Sequence, residues 1–181
     1  SQSDWYAVTW VEASDTLHWV NENGEQVNIP RPQLEGEISQ AQTRLHISPN
    51  GRTLIVISPL LNGHEGIGFY DIAIGDFVQI HETQDNEIIL PVTNHAFTET
   101  SSHFAVTLRH PNTGAWRMIA FEAGTGNALT QLTSDDPSLP NGVQNNPDLW
   151  ADVVQFNLDE AFNVLEVRFQ TITNSNVIQT S

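Results

Sequence analysis

Ile47-Ser48-Pro49-Asn50-Gly51-Arg52-Thr53-Leu54-Ile55-Val56-Ile57 sets an apolar residue, a tight polar turn and a strand-forming run in order. Gly51 supplies the positive φ that such a turn requires. About fifty residues on, Phe97-Thr98-Glu99-Thr100-Ser101-Ser102-His103-Phe104-Ala105-Val106-Thr107 repeats the layout. Each copy is followed by a loop, a further strand and another turn. In the first these are Gly66-Ile67-Gly68-Phe69-Tyr70-Asp71-Ile72 and Gly75-Asp76; in the second, Trp116-Arg117-Met118-Ile119-Ala120-Phe121-Glu122 and Gly124-Thr125-Gly126-Asn127. Residues 53–58 are nearly continuously apolar, which predicts a strand buried on both faces.

Strand signals separated by Gly, Pro, Asn and Asp continue outward from this pair, and almost nothing reads as helix. Residues 5–11, 16–20 and 26–29 form a predicted three-strand meander, ended by Pro30 and Pro32, which cannot donate to a ladder. The first full module has strands at 44–48, 53–58, 67–72 and 77–81, and the second runs from about 94 to 132. A last, degenerate copy follows the Pro- and Asp-rich loop 133–149, with strands at 153–156 and 163–171 and an edge at 177–179. Residues 158–167 also fit a helix capped by Asp159, but the alternation of Val164-Leu165-Glu166-Val167-Arg168-Phe169 favours strand. A period of this size in an all-strand pattern points to β-propeller blades. The expected fold is therefore all-β: a propeller-like array of about four antiparallel blades in one domain, at about 1–42, 43–92, 93–140 and 141–181.

The chain has 181 residues and a net charge of −16 from 22 acidic and 6 basic residues. The basic residues are all Arg, at 31, 44, 52, 109, 117 and 168. Such a surface repels a phosphate backbone and an anionic bilayer, so nucleic-acid binding is not expected. No apolar run approaches the roughly 18 residues that span a membrane, so membrane insertion is not expected either. No signal segment is recognisable at the start. The absence of cysteine excludes disulfides, thiolate metal sites and a Cys nucleophile.

Residues 47–54 resemble the apolar-Ser-Pro-Asp-Gly-Lys-x-Leu turn of TolB-type, WD-repeat-like propellers. Phe69-Tyr70-Asp71-Ile72 with Gly75 is similar to their third-strand segment, and Gln131-Leu132-Thr133-Ser134-Asp135-Asp136-Pro137 to the exit of their fourth strand. The resemblance is clearest over 44–137. Pro49-Asn50-Gly51 becomes Glu99-Thr100-Ser101 in the second copy and Asp159-Glu160 in the last, and the Trp-Asp and Gly-His pairs of true WD repeats are absent. The resemblance implies four-stranded blades around a channel that binds a protein or small ligand, and it tilts localisation toward an extracytoplasmic compartment. Four blades fill this chain, the lower end of the propeller range. A closed ring, an excised part of a larger propeller and a half that pairs with another chain all fit, and we favour a partial, self-associating propeller because open blade edges invite pairing.

Among candidate sites, His95, His103 and His110 fall close in sequence, but the last two sit at opposite ends of one predicted strand, too far apart for a shared ion. Asp135, Asp136, Asp148 and Asp152 flank the long loop that also carries Asn141, Asn145 and Asn146. These oxygens would suit Ca2+, yet no Asp-x-Asp-x-Asp-Gly register is present, so no cofactor is expected and Ca2+ is the alternative. Glu35 and Glu37 could form a glycosidase-like pair, for which chance adjacency in an acidic chain is the simpler account. Neither a Gly-x-Ser-x-Gly elbow nor a nucleotide-binding glycine motif occurs. Trp150, at the loop edge, is the aromatic chosen as a binding platform. The expected function is a non-enzymatic propeller module that binds a protein or ligand through Asp135, Asp136, Asp148, Trp150 and Asp152. The alternatives are the propeller portion of a hydrolase, either a peptidase or a glycan-processing enzyme, and a structural part of a larger assembly.

Overall fold

A computed structural model describes residues 7–21, 23–72, 74–84, 86–92, 96–98, 100–137, 149–152, 166–171 and 175–179. The chain is all-β, a propeller-like series of four antiparallel meander sheets. The first contains β1 (Ala7–Val11), β2 (Thr16–Val20) and β3 (Gln26–Pro30). The second runs in order through β4 (Arg44–Ile47), β5 (Thr53–Pro59), β6 (Glu65–Asp71) and β7 (Asp76–Glu82). The third contains β8 (Ile88–Ile89), β9 (His103–Arg109), β10 (Trp116–Glu122) and β11 (Ala128–Thr133). The fourth contains β12 (Leu149–Asp152), β13 (Glu166–Thr171) and β14 (Ser175–Gln179). Among the described residues, 3-10 turns occur at Glu12–Ser14 and Gln40–Gln42, and Ala96 also has 3-10 geometry. Residues 1–82 with 124–126 form one compact unit, and 83–123 with 127–181 a second.

The repeated turn keeps its geometry while its residues change. Ser48 N–H donates to Thr53 O, and Gly51 N–H to Ser48 O, both at 2.8 Å. Fifty residues later Thr98 N–H donates to His103 O at 3.1 Å and Ser101 N–H to Thr98 O at 2.8 Å. The side-chain acceptor is conserved in role, with Thr53 N–H donating to Ser48 Oγ (2.9 Å) and His103 N–H to Thr98 Oγ1 (3.1 Å). Gly51 has φ 71° and Ser101 φ 58°, so a serine adopts the left-handed conformation that the first copy gives to glycine.

The third sheet opens on a two-residue strand, β8. It has Ile88 and Ile89 paired with Arg109 and Leu108, and Phe97 is bridged to Phe104. Leu90 N–H still bonds Thr107 O, but Pro91 has no N–H with which to continue the ladder. The predicted strand at 153–156 lies outside the described residues, as does most of the contested 158–167 segment. β12 begins at Leu149, where a loop was expected.

In the first unit, Leu54, Ile55, Val56 and Ile57 of β5 are all fully buried, as a two-sided apolar strand requires. Leu54 and Val56 join Leu17, Leu34, Leu60, Tyr70 and Ile72 in a core that packs β1–β3 against β4–β7. Beside it lies a buried ionic cluster. Arg31, whose side chain is 0% exposed, grips Asp15 through Nε–Oδ1 (2.6 Å) and Nη2–Oδ2 (3.1 Å). It grips Glu37 through Nη2–Oε1 (2.5 Å) and Nη1–Oε2 (3.1 Å). Burial alone would push both carboxyls up, but the hydrogen bonds and charge of Arg31 hold both below their ordinary values. Glu37 is thus an ionised structural partner, and Glu35 is exposed.

Candidate binding cleft

In the second unit, β9 and β10 are joined by residues 110–115, closed by His110 N–H to Ala115 O (2.8 Å) and Gly114 N–H to His110 O (2.9 Å). Gly114, with φ 72°, allows this return. Thr113 N–H donates to His110 Nδ1 (3.3 Å). The neutral ring therefore carries its proton on Nε2, which makes His110 a hydrogen-bond donor.

Glu87 precedes β8 and meets Arg117 of β10 in a bidentate pair, Nε–Oε1 and Nη2–Oε2 each at 2.8 Å. The Glu87 side chain is only 12% exposed and that of Arg117 15%, so the pair is rigid and largely desolvated. Gln84 N–H also donates to Glu87 Oε2 (2.7 Å), which anchors the approach to β8. On the other flank, Ser134 clasps the start of β10: its Oγ accepts from Trp116 N–H (3.2 Å) and its N–H donates to Trp116 O (2.9 Å). That clasp sets the position of exposed Asp135, whose Oδ1 also accepts from Thr133 Oγ1 (2.6 Å). Gln84, Glu87, His110, Trp116, Arg117 and Asp135 line a cleft of about 330 Å³. It combines an imidazole donor, a carboxylate acceptor, a fixed ion pair and an indole, a set suited to a polar ligand with both donors and acceptors.

Asp135 is the sequence-predicted site residue that lines this cleft. Asp136 follows it in the turn, where its N–H donates to Thr133 O (3.1 Å). Asp148 lies outside the described residues. Trp150 and Asp152 stand on β12 opposite Gln170 and Arg168, in the other sheet of the unit. His103 and His110 fall at the start of β9 and just past its end, as expected. Among the described residues no three His, Asp or Glu side chains gather as a metal site. Sequence reasoning missed the roles of Glu87, Arg117 and His110. The usable signal was the scarcity of basic residues: in a chain with 6 Arg against 22 acids, each Arg has many possible partners and marks a local charge centre.

No family model matches the chain, and no curated protein matches it. Among solved structures it is similar to the β-propeller domain of the Trilobed protease from Pyrococcus furiosus, at 9% identity and TM-score 0.49, covering 90% of this chain and 48% of that one. It is also similar to the acylaminoacyl peptidase of Pyrococcus horikoshii, at 10% identity and TM-score 0.43, covering 95% of this chain and 29% of that one. A third is the periplasmic gluconolactonase of Pseudomonas aeruginosa, at 18% identity and TM-score 0.34, covering 70% and 35%. The chain spans less than half the length of each of these structures.

Proposed function

We propose that this chain is a non-enzymatic, propeller-type binding module that holds an extended segment of a protein partner in the cleft beside Asp135. The supporting observation is that His110, Asp135 and the largely desolvated Glu87–Arg117 pair line one cleft of about 330 Å³. A peptide backbone offers a carbonyl to the first and an N–H to the second. The resemblance of residues 47–54 to the TolB-type turn favours a protein rather than a metabolite as partner. Asp136, Asp148, Trp150 and Asp152 remain proposed contributors to the same surface.

The test uses the full chain, 15N-labelled, with a library of acetylated and amidated tetrapeptides. Amide shifts confined to residues 84–87, 110–117 and 133–136, lost in Asp135→Ala and His110→Ala, are the expected result. Shifts unaffected by both substitutions would remove the cleft from the reading. Mass spectrometry of the same peptides after incubation separates it from the hydrolase alternative, since a binding module returns them intact.

A further inference from the structure

The first unit contains a second cleft, of about 490 Å³, lined by Trp10, Glu12, Ala13, Gln40, Ala41 and Thr43. Its flanks are the 3-10 turns Glu12–Ser14 and Gln40–Gln42, tied together where Gln40 Nε2 donates to Glu12 O. The aromatic wall is held in place twice. Trp10 Nε1–H donates to Asp15 Oδ1 (3.0 Å), and the Arg31 guanidinium carbon lies 5.9 Å from the indole centroid. Thr43 Oγ1, on the floor, donates to Glu37 Oε1 (2.9 Å) and lies 3.0 Å from Ser58 Oγ. This is a preorganised cavity rather than a gap between mobile side chains.

Its charge is one-sided. No basic residue lines it, and the Glu12 carboxylate is exposed with no cation paired to it among the described residues. Behind the wall, Arg31 is shared by Asp15 and Glu37, so that cluster keeps one uncompensated negative charge. Ala13 and Ala41 leave room beside the indole. An anion would be repelled here, and a neutral sugar would use the ring but not the field. An alkyl cation uses both, its stem against Trp10 and the alanines and its head beside Glu12.

We infer that this cleft binds an organic cation, an ammonium or guanidinium group on a short apolar stem, independently of the cleft beside Asp135. The head group is the shared chemistry of free polyamine-like molecules and of Lys or Arg side chains in a peptide. The full chain, 15N-labelled in low salt, is titrated with cadaverine and agmatine, with acetyl-Gly-Lys-Gly-amide and acetyl-Gly-Arg-Gly-amide, and with 1-pentanol and methyl glucoside as neutral controls. The readout is the Trp10 indole N–H resonance, assigned by its loss in Trp10→Phe. The cations should shift it saturably, whichever series binds more tightly identifying the source, and the neutral probes should not. Glu12→Gln should weaken binding roughly three- to fivefold, the scale of one exposed ion pair, and Ala41→Leu should block it. Circular dichroism of both variants checks that they are folded. The proposal is overturned if neutral probes move the resonance at the same concentrations, if either folded variant binds like the parent chain, or if the cations leave Trp10 unmoved.

Discussion

His46 and Arg31 show two treatments of an ionisable side chain inside one unit. His46, on β4, has no partner for Nε2 among the described residues, and burial together with the charge of Arg44 lowers its pKa from 6.5 to about 4. The unfolded chain takes up this proton first, so stability is fullest above pH 6.5 and declines as pH falls through the window to about 4. Asp15 and Glu37 have lowered values, so what they contribute is present above the ordinary carboxylate range and lost as pH falls below it. We expect urea unfolding of His46→Phe to lose the slope between pH 6.5 and 4, while retaining the acid decline below it. Arg31→Met should cost about 3–5 kcal/mol at pH 7, because the nearly buried Glu37 and the partly buried Asp15 lose their counter-charge. An equally stable Arg31→Met would show the cluster to be expendable. None of this was legible in sequence, where Arg31 stood only as a residue between two strand-ending prolines. Its partners lie 16 and 6 residues away, and a gripped carboxylate looks the same in sequence as a solvated one.

At the scale of the element, the strand run after each repeated turn was readable because its apolar pattern answers to local burial. β5 and β9 are buried along almost their whole length. The turn at 98–101 was harder, since its signature residues are gone and only the Thr98 acceptor and the left-handed Ser101 preserve the geometry. The pairing of Ile88 and Ile89 with β9 was unreadable from periodicity alone, because register between separate strands leaves no local pattern in the chain. Gly68 in β6 gives an element-level test. A Cβ there would lie 2.4 Å from Phe77 Cζ and 2.8 Å from Leu34 Cδ2. Gly68→Ala should therefore cost about 1–3 kcal/mol by overpacking, measured by chemical denaturation. Adding Phe77→Leu should recover part of that loss through a non-additive double-mutant cycle. Additivity would place the strain elsewhere.

For the whole molecule, charge is the dominant global property. With a net charge of −16 at pH 7, long-range repulsion opposes compaction, and salt screens it. The melting temperature should rise between low salt and about 0.5 M NaCl, where the screening length is only a few ångström, while an uncharged osmolyte at matched osmolarity leaves the salt dependence unchanged. Cooperative unfolding that ignores ionic strength would contradict this. Composition and strand periodicity determined the all-β class and the run of antiparallel meanders, because alternation, turn residues and two-sided apolar strands respond to neighbours a few residues away. Tertiary structure alone decided which charges meet. Glu87 reaches Arg117 across 30 residues, and Asp15 reaches Arg31 across 16. Asp135 acquires a cleft only because Ser134 fastens its turn to β10. Those pairings follow from register between distant strands, and a chain rich in acids offers each arginine many partners until folding selects one.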